Sequence, residues 1–189
     1  MGLKYWSGLK FKEYPNRVFF IGDMHFSDER VALKRGYDSA EDMRHQLIDN
    51  WNSVVGAKDT VFVLGDFDLG SMFSVKENAK LLNGRKILIR GNHDKFDDSV
   101  YLRSGFIEVH KTLNIDFGSD KYFLIHNPEW KPEDNVDSLF QLYAHLHNEH
   151  EIAELDGKGI CLSAERPFVN EFPVSLKKIR EFFKSEVII

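Results

Sequence analysis

With Cys161 as its only cysteine, the chain can close no internal disulfide. That excludes the small secreted class stapled by bridges and points to a reducing compartment. Cys161 stands in the apolar stretch Gly159-Ile160-Cys161-Leu162 and reads as a small buried hydrophobe. Basic residues are outnumbered: 25 Lys and Arg against 30 Asp and Glu give a formal charge of −5 and a pI near 5.9. Sequence-independent nucleic-acid binding draws its affinity from neutralised phosphates, so no extended nucleic-acid groove is expected, although a nucleotide substrate stays open. No apolar run approaches the length of a membrane span. The start, Met1 to Trp6, lacks the long apolar core of a secretory signal, and a cytoplasmic protein is expected. Gly2 is followed at the sixth position by Trp6, where a myristoylation motif needs Ser or Thr.

What is present is ordinary globular material. At 189 residues, with 42% hydrophobic and 13% aromatic residues, the chain can bury a core without staples and is expected to form one domain over 1–189. After a turn at Pro15-Asn16, the run Val18-Phe19-Phe20-Ile21 leads into Gly22-Asp23-Met24-His25. Such a run fits a strand covered on both faces. If it persists to His25, the two-residue alternation puts Asp23 and His25 on one side. Residues 26–40 show little periodicity and read as a loop. Met43, Leu47, Ile48, Trp51, Val54 and Val55 then recur at helical spacing behind Ser39, an N-cap with Asp42 in its first turn, and the helix ends near Gly56.

A second strand, Val61 to Leu64, ends in Gly65-Asp66. A helix over Ser74–Leu82 closes at Asn83-Gly84, a left-handed capping pair. A third strand, Lys86 to Arg90, ends in Gly91-Asn92-His93-Asp94. This β-α-β-α-β order implies right-handed crossovers and a parallel sheet, with ligand sites beyond the C-terminal strand ends. In the second half, 106–109, 112–117, 121–125, 141–147 and 158–163 are strand candidates, and Gly118-Ser119-Asp120 is a hairpin turn. His126 ends the third of these, and His145 and His147 end the fourth. Pro173 and Ser175 introduce an amphipathic helix with Leu176, Ile179, Phe182 and Phe183 on one face.

Taken singly, each polar cluster has a bland reading as a solvated turn or a hydrogen-bonded histidine. Their shared position at strand ends favours one site. Hydrolysing a phosphoester near neutral pH needs a hydroxide, neutralised phosphoryl oxygens and help for the leaving oxygen. Two divalent ions about 3.5–4 Å apart can supply the first two if a carboxylate bridges them. Asp66 is the candidate bridge. Asp23, His25 and His147 could complete one shell, and Asn92, His126 and His145 the other. Without a thiolate, Mn²⁺, Fe, Zn²⁺ or Ni²⁺ suits these ligands better than a cysteine-type structural zinc.

In order, Asp23-Met24-His25, Gly65-Asp66, Gly91-Asn92-His93-Asp94, His126 and Ala144-His145-Leu146-His147 resemble the five blocks of the calcineurin-like metallophosphoesterase superfamily. The match extends from about residue 18 to 147. The resemblance implies an α/β fold of four layers, an α/β/β/α sandwich. It also implies the ligand set above, with a metal-bound hydroxide attacking a phosphomonoester or phosphodiester. His93 falls where the superfamily places a histidine that contacts phosphate and protonates the leaving oxygen, with Asp94 orienting its ring. The small size and the helix around Glu41 to Asn52 are similar to compact bacterial and phage members. Three positions depart from the superfamily pattern: Phe26 and Ala144 stand where glycine is usual, and Asp68-Leu69 where an acidic-basic pair is usual.

The same superfamily fold also serves as a protein-binding scaffold, the alternative to catalysis. Scaffold members tend to lose ligands, and here none of the seven is missing. His45, His110 and His150 read as surface or hydrogen-bonded residues. Arg30, Lys34 and Arg35 read as a solvated loop, with a phosphate clamp as the sharper alternative. Trp130 is either pocket wall or core.

Overall fold

The computed structural model describes residues 5–6, 15–118, 120–129, 140–148 and 158–186. Ten strands form two five-stranded sheets. The first runs β10(Val174–Ser175), β2(Val18–Ile21), β3(Thr60–Val63), β4(Arg85–Ile89), β5(Phe106–His110). Strands β2 to β5 are mutually parallel and β10 joins the edge antiparallel. The second runs β1(Tyr5–Trp6), β6(Thr112–Asp116), β7(Lys121–Ile125), β8(Phe140–Tyr143), β9(Gly159–Cys161), with only the β6–β7 hairpin antiparallel. This is a mixed α/β architecture of two parallel-rich sheets and helices, in line with the expected α/β class.

The apolar runs explain the layering. Every residue of β2 and β3 is buried, as expected of strands covered on both faces. One hydrophobic core joins the sheets, with Phe20, Phe62 and Ile87 from the first in the same cluster as Ile115, Leu124 and Leu142 from the second. The Phe20 and Phe62 rings stack at 5.2 Å. Full burial of side chains of this size contributes roughly 1.5–3 kcal/mol each.

Helix α2(Ala40–Val54) lies where expected, capped by Ser39, whose hydroxyl accepts from the Asp42 amide. Its buried residues Met43, Leu47, Ile48 and Trp51, with Val55 just past its end, form most of the expected stripe, whereas Val54 is exposed. Helix α3(Met72–Leu81) starts earlier than the apolar pattern indicates, because Ser71 is its cap and Met72 and Phe73 stay exposed. Leu82 after it is extended, so the left-handed residue Gly84 (φ 83°) turns the chain into β4 and does not cap the helix. Helix α5(Leu176–Glu186) matches the amphipathic C-terminal segment.

Two helices were not legible. The expected loop over 26–40 contains α1(Glu29–Lys34), nucleated by Asp28, whose carboxylate accepts from the amides of Arg30 and Val31. It buries only Ala32, too little for a periodic signal. Helix α4(Asp98–Ser104) ends at Gly105, left-handed at φ 108°. The strand expected over 141–147 stops at Tyr143. His150 and Trp130, and the links between β7 and β8 and between β8 and β9 over most of their length, lie outside the described residues.

Candidate metal centre

Five strand ends of the two sheets meet at one edge. Past β2 come Asp23 and His25, past β3 Asp66, past β4 Asn92, His93 and Asp94, past β7 His126, and past β8 His145 and His147. Main-chain hydrogen bonds tie these ends together. The amides of Asp23 and His25 donate to the carbonyls of Gly65 and Asp66, both at 3.0 Å, and Ala144 donates to the His126 carbonyl at 3.0 Å.

Asp23 and His25 do share a site, but not by strand alternation. The strand ends at Ile21, and both residues are left-handed, at φ 53° and 49°. Asp66 (φ 52°), His145 (φ 73°) and His147 (φ 48°) adopt the same conformation. A side chain in that region costs about 1–3 kcal/mol, and such strain gathers at functional sites. Curling the backbone at each strand end turns the Asp and His side chains inward together.

Two triads result. The ligand-type atoms of Asp23, His25 and His147 lie within 4.8 Å of one another, and so do those of Asp66, His126 and His145. Asp66 stands between the triads: its Oδ2 is 3.6 Å from His25 Nε2 and 3.4 Å from His126 Nε2. Asn92 Oδ1 is 2.9 Å and His145 Nδ1 3.2 Å from His126 Nε2.

The donor set fits divalent ions. Asp23 Oδ1 and His25 Nε2 are buried with no hydrogen-bond partner among the described residues. A buried polar atom left unpaired costs several kcal/mol, and a cation would satisfy both. Asp23 Oδ2 is already engaged, by the Ser163 hydroxyl at 2.5 Å and the His145 amide at 2.8 Å.

Electrostatics separates the histidines. Burial pushes His25 down to about 4 despite Asp23 and Asp66 nearby. Burial also lowers His145, and the adjacent His126 adds to it. For His126 burial is outweighed by the hydrogen bond it donates to Asp66 and the charges of Asp23 and Asp66, which carry it up to about 9. Asp66 is opposed by burial, yet its His126 contacts hold it below the usual carboxylate range.

His93 sits at the rim, its ring edge-on to His25 at 5.5 Å, with Nδ1 free of hydrogen-bond partners among the described residues. The Asp94 carboxylate bonds main-chain amides here and not His93 Nδ1. Its Oδ2 accepts from the amides of Asp66 (2.9 Å) and Gly91 (2.8 Å), and its Oδ1 from the Phe67 amide (3.1 Å). Its burial raises its pKa to about 6. Asp94 therefore fixes the backbone that carries Asp66, while His93 donates its amide to Asp66 Oδ1 at 2.8 Å.

Arg35 contradicts its reading as a solvated loop residue. Its side chain is 4% exposed, and it donates to the Asp23 and Met24 carbonyls and to Glu165. Glu165 in turn accepts from His147 Nδ1. Ser163, the last residue of the strand candidate 158–163, and Glu165 just past it are further site residues, signalled only by their place at a strand end like the other polar clusters. Arg30, 83% exposed, is solvated as expected. His45 pairs with Glu41 and His110 with Glu108, each away from the triads. A cavity of about 600 Å³ opens beside the second triad, lined by Asn92, His126, His145, Arg90, Lys111 and Ile125 among others.

The three departures from pattern are filled by packing. Phe26 is buried edge-on to Phe67. Asp68 is buried and accepts from the Gly70 amide, Ser74 and Asn78. Ala144 lies against Gly22, where a Cβ would come 2.5 Å from the Ala144 Cβ.

The sequence profile of the calcineurin-like phosphoesterase family matches residues 16–178, most of the chain. The chain belongs to that family. It is 31% identical over 179 residues to the uncharacterized protein MJ1445 of Methanocaldococcus jannaschii, covering 92% of this chain and 94% of the relative. The Gene 66 protein of Mycobacterium phage D29 is 36% identical over 83 residues, 42% of this chain and 41% of the phage protein. Among solved structures, a protein of unknown function, AQ665 from Aquifex aeolicus, superposes with a TM-score of 0.66 at 23% identity, covering 87% of this chain and 97% of that one. This calcineurin-like phosphoesterase thus has a family of phosphoester hydrolases, a shared fold and two groups of side chains that could hold metal ions. No helix among the described residues is long and apolar enough to cross a membrane.

Proposed function

We propose that this phosphoesterase hydrolyses a phosphomonoester or phosphodiester, nucleotides included, at a binuclear centre held by Asp23, His25, Asp66, Asn92, His126, His145 and His147. The supporting observation is the place of Asp66, with one carboxylate oxygen 3.6 Å from His25 and 3.4 Å from His126. A carboxylate between two sets of nitrogen and oxygen ligands supports the reading of Asp66 as a bridge. Divalent ions held by these residues would supply a deprotonated water and neutralise the phosphoryl oxygens; the nitrogen-oxygen set suits Mn²⁺, Fe, Zn²⁺ or Ni²⁺.

The protein's own groups do the rest. Asn92 offers a neutral oxygen at the exposed side of the second triad. On this reading His93, whose half-buried ring stands edge-on to His25, touches the phosphoryl group and gives a proton to the leaving oxygen. Asp94 holds the loop that carries both His93 and the Asp66 contact. A reducing cytoplasm suits the free, buried Cys161.

The test is turnover of nitrophenyl monoester and diester by protein stripped of metal and reconstituted with Mn²⁺, with bound metal counted. Hydrolysis of either ester that disappears on stripping and returns on reconstitution is expected. Protein that demonstrably holds two ions and cleaves no ester with any of these metals would instead favour the interaction-module reading.

A further inference from the structure

Resting on the binuclear reading, we propose that Ser163 and Glu165, backed by Arg35, are positioning residues for one ion of the pair, the ion of the Asp23–His25–His147 triad, and not for the other. The segment just past β9 is laid against the end of β2: Gly22 donates to the Leu162 carbonyl at 2.8 Å, and Ala164 donates to the Gly22 carbonyl at 3.0 Å. That docking brings two side chains of the segment onto two ligands of the same triad.

Ser163, fully buried, donates its hydroxyl to Asp23 Oδ2 at 2.5 Å, which leaves Oδ1 as the oxygen aimed inward. Glu165 accepts from His147 Nδ1 and so fixes the ring with Nε2 as its free lone pair. Arg35 closes the arrangement, because one guanidinium nitrogen donates to both Glu165 Oε2 and the Asp23 carbonyl at 2.6 Å. The carboxylate behind His147 and the backbone beneath Asp23 are thereby held by one buried cation. The Asp66–His126–His145 triad has different supports: the Leu64 carbonyl accepts from His126 Nδ1 at 2.8 Å, and the His93 amide donates to Asp66 at 2.8 Å. Neither support touches the 162–165 segment. The shells meet at Asp66 and at the His145 amide on Asp23, but the side chains of Ser163 and Glu165 bear on ligands of the first triad alone, so their loss should weaken one ion more than the other.

Metal content, calorimetric affinity and the electron paramagnetic resonance of Mn²⁺-loaded protein test this without reference to turnover. Wild type should hold two ions and give the spectrum of a coupled pair. Glu165→Ala should keep one ion with the spectrum of isolated Mn²⁺, its second affinity falling by about 10–100-fold. Glu165→Gln, whose amide oxygen still accepts from His147, should restore the pair. Ser163→Ala, which keeps the His145 amide on Asp23, should weaken one site by about tenfold and serves if Glu165→Ala does not fold. Glu165→Ala combined with His145→Ala should hold no ion, because each change removes a different one. Two ions at wild-type affinity in both Glu165→Ala and Ser163→Ala overturn the proposal, and so does one ion surviving in the double variant. Wild-type protein that binds fewer than two ions contradicts the binuclear reading itself.

Discussion

Gly91 and Asp66 approach so closely that a Cβ on Gly91 would lie 2.1 Å from Asp66 Oδ1 and 2.5 Å from the Asp66 amide nitrogen. Gly91 is absent from the positive-φ positions, so its role is to make room for the candidate bridging carboxylate. Gly91→Ala must push Asp66 out of place or distort two strand ends. Overpacking of this kind typically costs about 1–3 kcal/mol. The expected result is a lower urea midpoint together with loss of bound metal. An unchanged midpoint with two ions retained would show that the strand ends can yield.

Asp66 belongs to the second triad and its Oδ2 also lies 3.6 Å from His25 of the first, so its substitution should affect both shells. Asp66→Asn keeps the volume and an oxygen while removing the charge that also holds His126. Loss of metal is expected on dialysis against buffer, measured by elemental analysis. Retention of both ions would argue against a bridge.

His93 is placed differently, at the rim, with no ligand-type atom in either triad. His93→Ala should therefore leave metal content near wild type and lower turnover. Lost general-acid assistance is worth about 10²–10⁴-fold, most of it with poor leaving groups such as simple alkoxides. A nitrophenolate departs without a proton, so its ester should suffer less. Equal losses for good and poor leaving groups would remove the proton-donor role.

How much of this was legible depends on what kind of signal each residue sends. The buried runs at Val18 to Ile21 and Val61 to Leu64 announce parallel strands through burial on both faces, and their polar ends mark the site. The side-chain chemistry of the seven candidate ligands is written in those ends. The backbone route is not. Alternation along an extended strand offered one way to align Asp23 with His25, whereas the chain uses left-handed turns stabilised by contacts to a neighbouring strand end. Helix α1 is held by the Asp28 cap and buries only Ala32, so no periodicity advertised it. Arg35 looked solvated because its partners, Asp23 and Glu165, are 12 and 130 residues away. Asp94 looked like a partner for the neighbouring ring, but its environment offered three main-chain amides instead.

His126 and His25 should respond oppositely to metal binding. Burial lowers both, but the hydrogen bond and charge of Asp66, with Asp23, bring His126 up to about 9, while His25 stays near 4. At about pH 7.5 the metal-free protein therefore holds His126 as a cation and His25 as a neutral ring. In that protein the raised His126 contributes stability that is fully present below its ordinary value of 6.5 and lost as pH rises through about 9. A divalent ion must displace that proton, since only the neutral ring is a ligand. Calorimetric titration near pH 7.5 in buffers of different ionisation heat should register about one proton released from His126, fading above pH 9. His25→Ala should leave the His126 share of the release in place for whichever ion still binds the Asp66 triad, and His126→Ala should lower the total by about one proton, what remains coming from His147 and from metal-bound water. Binding with no proton release at pH 7.5 would mean that His126 is neutral before the metal arrives, and that Asp66 does not hold it as a cation.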